Sequence, residues 1–375
     1  MSMKIAITSP FGWPYVRRGN RFAHDLAAYL AERGHQVHFI TTKPGVTSRR
    51  KLRGKVLEEH HRLFCYPLLS FLNVEMWETF ALGCFRSLMR ERHDIVQTFW
   101  PPDAFAASLN RSLRDIPFVH LMVDSNHFYR PTALGKPMLR RVLKNVSCLE
   151  VPSTYVNEEL KSQFNLEGTL IPMPVNIDEF TPSNEKRLDP PRILCTSSFL
   201  DARKRVYLLV QAFELLLKDI PNAILQLSGH GTIDQAEMWL LNLVTPKTRR
   251  SIEILDVGKL EDMPRIYSHA SLTVLPSLRE AFGMVIIESL SSGTPVVGTK
   301  SGAIPEVIND PEVGILFEET GGPKELCKAL IKGLELARDP QTTLRCRKYA
   351  ERYSWHVLGP RYEALYLEVL NGHKR

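Results

Sequence analysis

Residues 271–306, SLTVLPSLREAFGMVIIESLSSGTPVVGTKSGAIPE, constrain the fold of this chain more than any other stretch. The apolar run Leu272–Leu275, closed by Pro276 and Ser277, has the length of a buried strand. A short loop carrying Glu280 leads to Ala281-Phe282-Gly283 and an apolar segment of helical length, from Met284 to about Ser292. Gly293-Thr294-Pro295 stops that helix, and Val296-Val297 begins a second strand. Strand, loop, helix, strand is the unit of a parallel sheet. Ligands of such sheets sit beyond the carboxyl ends of the strands, where a loop meets a helix N-terminus. Gly283 allows a ligand close to the backbone, and the N–H groups of Gly283, Met284 and Val285 are placed to cradle phosphate oxygens. Glu280 and Glu288 frame this turn, and each carboxylate can grip a pair of hydroxyls. Amides for phosphate and carboxylates for hydroxyls describe a nucleotide-sugar site. A solitary glutamate on a helix is ordinarily a solvated surface residue. The ordered run Pro-Ser, Glu, Phe-Gly, Glu, Gly-Thr-Pro favours the binding reading.

Glu280-Ala281-Phe282-Gly283, with Glu288, Ser291-Ser292-Gly293-Thr294-Pro295 and Ser301-Gly302-Ala303-Ile304-Pro305-Glu306, resembles the E-x7-E signature of the retaining, GT-B-fold glycosyltransferases of family 4. The usual Glu-Gly-Phe-Gly has Ala281 in second place, and the usual Gly-Gly is Gly302-Ala303. The resemblance implies an α/β fold of two Rossmann-like doubly wound domains facing a cleft. It implies an acceptor-binding domain over 1–182 and a nucleotide-sugar domain over 183–350. Residues 351–375 would then form a C-terminal helix crossing back to the first domain.

Length agrees, since 375 residues suit two domains of ordinary size. Hydrophobic content of 44% and charged content of 24% fit a soluble globular protein, and no apolar run is long enough to span a bilayer. The N-terminus MSMKIAITSP reads as a strand starting near residue 4, not as an export signal. Six scattered cysteines without a C-x-x-C pair read as free thiols in a reducing compartment, so the expected location is cytoplasmic. A net charge of +7 invites a nucleic-acid reading, but no zinc finger, RNA-binding aromatic motif or helix-turn-helix accompanies it. The one dense basic cluster, Arg49, Arg50, Lys51, Arg53 and Lys55, suits an anionic membrane surface, an anionic acceptor or the donor phosphates.

In the first half, Lys4–Thr8 reads as a strand, and the loop from Ser9 to Asn20 leads into a helix ending near Arg33. Gly19 is the candidate donor residue of this loop; as a turn residue it needs no function, but Arg18-Gly19-Asn20 stands where the family has Gly-Gly. Residues 43–70 read as a basic loop followed by a strand around Phe64-Cys65-Tyr66, and Phe71 to Arg90 as an apolar helix. Short strands are expected at 94–97, 118–122 and 146–151, and a helix from Ser153 to Phe164. Many family members carry a functional histidine just after the second of these strands. That position falls on Val123 here, which leaves Asp124, His120 and His127 as candidates. For each of the three, a structural role is the plainer alternative.

The polar, proline-rich segment 181–191 reads as the linker. The loop from Ser197 to Arg205 follows the first strand of the second half, and in the family it supplies an arginine and a lysine to the donor diphosphate. Lys204 matches the lysine; the arginine position falls on Ser198, so Arg203 or Arg205 would have to supply the second charge. Gly229, after the next strand, and Gly258-Lys259-Leu260, which touch the nucleobase in relatives, complete the expected donor site with Phe282. The implied reaction moves a sugar from a nucleotide-diphosphate donor to an acceptor hydroxyl on a glycan, a lipid or a small molecule, with retention. Glu280, Lys204 and Asp124 or His120 are the expected catalytic residues. No metal and no cofactor are expected, because fixed cations meet the diphosphate charge. The alternatives are a sugar-nucleotide epimerase of the same fold and a catalytically impaired nucleotide-sugar-binding subunit.

Overall fold

Short apolar runs alternating with amphipathic helices produce two parallel sheets in the computed structural model. The structure describes residues 2–10, 18–42, 49–61, 79–122, 135–183, 190–199, 201–229, 240–255 and 262–373. One unit comprises Met1–Pro174 and Leu358–Arg375, and the other comprises Val175–Val357.

In the first unit the order is β1 (Lys4–Thr8), α1 (Arg18–Glu32), β2 (Gln36–Thr42), β3 (Arg49–Arg53), β4 (Val56–His61), α2 (Phe80–Arg90), β5 (Ile95–Thr98), α3 (Pro101–Arg114), β6 (Phe118–Leu121), α4 (Gly135–Asn145), β7 (Cys148–Val151), α5 (Thr154–Phe164) and β8 (Thr169–Leu170). The sheet runs β3-β4-β2-β1-β5-β6-β7-β8, with every neighbouring pair parallel except β3 and β4. Ile5 pairs with Val37 on one side and Ile95 on the other, so the central strand is buried on both faces. On α2, Phe80, Cys84 and Leu88 recur every fourth residue and pack with Val96, Phe118 and Val142. Pro101 and Pro102 are tolerated because they open α3, where a backbone N–H has no helical partner. Asp103 fixes that helix start by accepting from the N–H groups of Phe99 and Trp100, each at 2.9 Å.

The basic cluster is not a loop. Arg49–Arg53 is an edge strand, antiparallel to β4 through a two-residue turn at Gly54 and Lys55. Its charges are accommodated because an edge strand leaves one side and much of one face to solvent. The expected strand at Phe64-Cys65-Tyr66 lies outside the described residues.

The second unit contains β9 (Arg192–Cys195), α6 (Val206–Leu216), β10 (Ile224–Leu227), α7 (Pro246–Arg249), β11 (Ile252–Ile254), α8 (Met263–His269), β12 (Leu272–Leu275), α9 (Met284–Ser291), β13 (Val296–Thr299), α10 (Ile304–Val307), β14 (Gly314–Phe317), α11 (Pro323–Arg338) and α12 (Thr342–Ala350). Its strands are all parallel, in the order β11-β10-β9-β12-β13-β14. The core joins Val206, Leu209, Val210 and Phe213 of α6 to Leu225, Leu272, Leu326 and Leu330. Residues 175–182 pack with this unit: Val175 N donates to Tyr353 O at 2.8 Å, and Arg347 donates to Phe180 O at 2.8 Å.

The last helix, α13 (Trp355–His373), returns the chain to the first unit from Leu358 onward. Tyr366 OH donates to Gln97 Oε1 at 2.9 Å, and Glu363 accepts from Tyr29 OH at 3.0 Å and Arg33 Nε at 2.8 Å. Among the described residues no helix is long and apolar enough to cross a membrane.

Candidate active site

The strand order of the second sheet puts β9, β12 and β13 side by side, so the three loops leaving their carboxyl ends meet. The first loop contains the 3-10 turn Ala202–Lys204, which Asp201 caps by accepting from Arg203 N at 3.0 Å. Leu278 N of the second loop donates to Arg203 O at 2.8 Å. The third loop locks onto the second: Ala303 N donates to Glu280 O at 2.8 Å, and Arg279 N to Ser301 Oγ at 2.9 Å. Gly302 makes that approach possible. It has φ +60°, and a Cβ there would lie 2.4 Å from Glu280 O and 2.5 Å from Glu280 N. The segment Ser301-Gly302-Ala303 therefore holds the backbone of Glu280 from behind.

These loops bring together two residues 76 positions apart. Lys204 Nζ donates to Glu280 Oε2 at 2.6 Å, with each side chain about a fifth exposed. A charge-assisted pair of this length is among the stronger polar contacts a protein makes. Beside it Gly283, at φ +95°, turns the chain into α9, and no side chain caps that helix. Among the described residues, the opening amides at Met284 and Val285 and the positive end of the helix dipole thus have no side-chain oxygen bound to them at the cap.

Glu288 lies further along α9 and is only 4% exposed. Its Oε2 accepts from Tyr267 OH at 2.8 Å, and the same hydroxyl lies 3.2 Å from Thr196 Oγ1. Tyr267 joins this candidate site and was missed by the sequence reading, because one tyrosine on a short helix carries no local signal. Ser197 and Ser277 are two more. They stand at the carboxyl ends of β9 and β12, and their buried hydroxyls have no protein partner among the described residues. A buried hydroxyl without a partner costs about 1–3 kcal/mol, which a ligand hydrogen-bonded there would offset.

The two arginines of the first loop are both engaged. Arg203 is paired with Asp201 at 3.0 Å. Arg205, 6% exposed, donates to Pro276 O at 2.7 Å, Glu319 O at 2.8 Å and Thr299 Oγ1 at 2.9 Å. It ties the ends of β12, β13 and β14 together as a strut and holds a left-handed φ of +46° to do so. Burial lowers its pKa, yet its partners are carbonyls and a hydroxyl, so the cation is not neutralised by a carboxylate among these bonds.

Phe282 is 4% exposed and stacks edge-on against Tyr353 at 5.8 Å, so it anchors the loop by packing and does not face outward. Gly229 follows β10, and a Cβ there would lie 1.9 Å from Ser197 O, so it admits the first loop by close backbone contact. Ser198 lies in that loop, partly buried. Gly19 falls inside α1, not in the loop before it. His120 sits within β6, fully buried, with Nδ1 2.8 Å from Thr98 Oγ1. Burial pushes its pKa down to about 3, which keeps it neutral and enclosed in the sheet. Asp124, His127, Gly258, Lys259 and Leu260 lie outside the described residues. A concavity of about 210 Å³ lined by Pro182, Ser268, Ser292, Asp339 and Thr343 adjoins the opposite end of α9 and contains none of the residues above.

The family described as Glycosyl transferases group 1 matches residues 190–335, and the one described as Glycosyltransferase Family 4 matches residues 19–179. The chain belongs to the group 1, family 4 glycosyltransferases. This glycosyltransferase is 25% identical over 402 residues to the N-acetyl-alpha-D-glucosaminyl L-malate synthase of Bacillus anthracis, covering 100% of this chain and 99% of that one. It is 23% identical over 415 residues to the D-inositol 3-phosphate glycosyltransferase of Corynebacterium jeikeium, covering 98% and 97% of the two chains. Among solved structures, a sucrose-phosphate synthase from Thermosynechococcus elongatus superposes with a TM-score of 0.81 at 20% identity, over 98% of this chain and 99% of that one. The Anabaena protein HepE, in complex with UDP and glucose, superposes with a TM-score of 0.73 at 15% identity, over 97% and 99%. The fold of this glycosyltransferase is thus GT-B, with a doubly wound parallel sheet in each unit.

Proposed function

We propose that this glycosyltransferase moves a sugar from a nucleoside-diphosphate donor to an acceptor hydroxyl, with retention at the anomeric carbon and without a metal at the reacting centre. The observation that carries the reading is the Lys204–Glu280 pair set beside the uncapped start of α9. The transition state separates an oxocarbenium-like sugar from a departing diphosphate, so catalysis must meet negative charge on the leaving group. Lys204 and the amides of Gly283, Met284 and Val285 supply that positive potential without reorganisation. Glu280 holds sugar hydroxyls near the reacting carbon, and Glu288, oriented by Tyr267, holds the ribose. Glu280 also holds the ammonium of Lys204 in place.

A thermal-shift panel of UDP-, GDP- and ADP-sugars, run on the wild type and on Glu288→Ala, tests the donor site. One donor should stabilise the wild type and leave the variant unmoved. Equal shifts in both proteins, or none in the wild type, would overturn the assignment. With that donor and an accepted acceptor, NMR of the new linkage should show the donor's anomeric configuration, and omitting Mg²⁺ and Mn²⁺ should not change the rate. A second reading, a nucleotide-sugar-binding subunit of impaired activity, is favoured by the commitment of Arg203 to Asp201 and of Arg205 to backbone carbonyls. Donor stabilisation without transfer to any acceptor would establish it.

The hairpin of β3 and β4 suits an anionic membrane surface. Lys51 and Lys55 are exposed beside Leu52, which is 67% exposed, whereas Arg50 is bound to Glu59 and Glu91.

A further inference from the structure

At the amino ends of β1 and β5, opposite the loops that follow the strands of the first sheet, three potential metal ligands converge. His38, Glu91 and His93 each present a ligand atom, and the three atoms lie within 4.8 Å of one another. His38 Nδ1 and His93 Nε2 are 3.1 Å apart, close to the separation of two nitrogens bound about 2.0–2.1 Å from one tetrahedral zinc ion. Both histidines are nearly inaccessible, at 2% and 3% exposure, whereas the Glu91 side chain is 24% exposed.

A carboxylate backs the far nitrogen of His38. His38 Nε2 lies 3.2 Å from Glu59 Oε2. Glu59 also accepts from Ser87 Oγ at 2.7 Å, Arg90 at 2.9 Å and Arg50 Nε at 3.0 Å. Glu59 is therefore a carboxylate, an acceptor only, and His38 must donate from Nε2. His38 Nδ1 is then the nitrogen that faces His93. A carboxylate on the far nitrogen of a ligating imidazole is the usual support of protein metal sites, because it fixes the tautomer and raises ligand basicity.

We propose that His38 Nδ1, His93 and the Glu91 carboxylate bind one zinc-class divalent ion, with Glu59 orienting His38. Two imidazoles and a carboxylate leave a fourth position for water on the side of Glu91. The ion must displace Lys4 and Arg50, which hold Glu91 in the empty site; their side chains are 39% and 34% exposed and can turn to solvent. The site would clip the end of α2 and the segment before β5 to β2. It uses none of the residues assigned to sugar transfer and does not depend on the function proposed above.

Zinc titration of the full-length, metal-stripped protein against a chromophoric chelator, with thermal shift in parallel, tests the assignment. The wild type should take up one zinc per chain. Affinity should fall by at least about 10-fold in Glu91→Gln and about 100-fold in His93→Gln, because a lost ligand costs no less than a lost outer-shell partner, about 10–100-fold. Lys4→Gln should bind zinc more tightly, because it removes a competitor for Glu91; adventitious binding at surface histidines would not respond to it. If His93→Gln does not fold, the partly exposed Glu91→Gln decides. No zinc uptake by the wild type, or equal affinity in wild type and Glu91→Gln, would overturn the proposal.

Discussion

Lys204 and Glu280 are each ordinary surface residue types, and only the meeting of two loops gives them chemistry. Replacing Lys204 by Ala removes the fixed cation, and replacing Glu280 by Gln removes the carboxylate without changing its shape. Loss of one such preorganised group costs about 10²–10³ in kcat. Steady-state rates should fall by that factor in both variants while the melting temperature moves by no more than a few degrees. Arg205 teaches the opposite lesson. In the sequence it is an available second cation for the diphosphate; in the structure it is buried and bound to Pro276 O, Glu319 O and Thr299 Oγ1. No local pattern separates these roles, because its partners lie 71, 114 and 94 positions away. Arg205→Met should leave those acceptors bare and destabilise the protein by about 3 kcal/mol, read from chemical denaturation. Unchanged stability with lost donor binding would instead make Arg205 a direct ligand of the phosphates.

At the scale of elements, strong periodicity made the second sheet legible. Leu272–Leu275 was readable to the residue, and the helix after Gly283 to within one, since a glycine at φ +95° and the Gly293-Thr294-Pro295 stop bound it on both sides. The β3–β4 hairpin was not, because RRKLR and VLEEHH carry charges where a half-buried strand ordinarily alternates. Its only local cue is the glycine that opens the turn, Gly54. Exposed Lys51 and Lys55 on that hairpin would contribute about 1 kcal/mol each near an anionic bilayer. Neutralising both should weaken binding to phosphatidylserine vesicles about thirtyfold in low salt, measured by sedimentation. Binding that ignored both the substitutions and the salt would remove the membrane reading. The last helix holds a second polar cluster. Glu150 accepts from Gln97 Nε2 at 3.2 Å, and burial pushes its pKa up to about 8 against hydrogen bonds from Tyr362 and Gln97. The folded state therefore keeps a proton that the unfolded chain has released, and stability falls as pH rises from about 4.5 to about 8. Asp103, pushed up to about 7 by burial, adds the same slope at lower pH. Between pH 7 and 8.5, denaturation should thus show the wild type losing stability and Glu150→Gln nearly level.

At the scale of the whole molecule, the described residues include two separate hydrophobic cores. One is built on α2, α3 and β5, and the other on α6, β12 and α11, with no residue in common. Length and the polar segment at 181–191 indicated two domains, whereas the distribution of function between them came from resemblance alone. Physical properties of each unit now distinguish them. Proton linkage through Glu150 belongs to the first unit, and the Lys204–Glu280 site belongs to the second. A donor present at 100 times its Kd stabilises whatever binds it by about 2.7 kcal/mol, which for a domain of this size is roughly 5–10 °C in Tm. Differential scanning calorimetry of the full chain should then resolve two transitions. A saturating donor sugar nucleotide should move one, and Glu150→Gln at pH 8 should move the other. The double condition, donor with Glu150→Gln, should move both by the sum of the separate shifts, as expected for sites with no shared partner. A single transition displaced by either treatment would mean that the two cores unfold as one cooperative unit. The Glu150 slope would then report on the stability of the donor site as well.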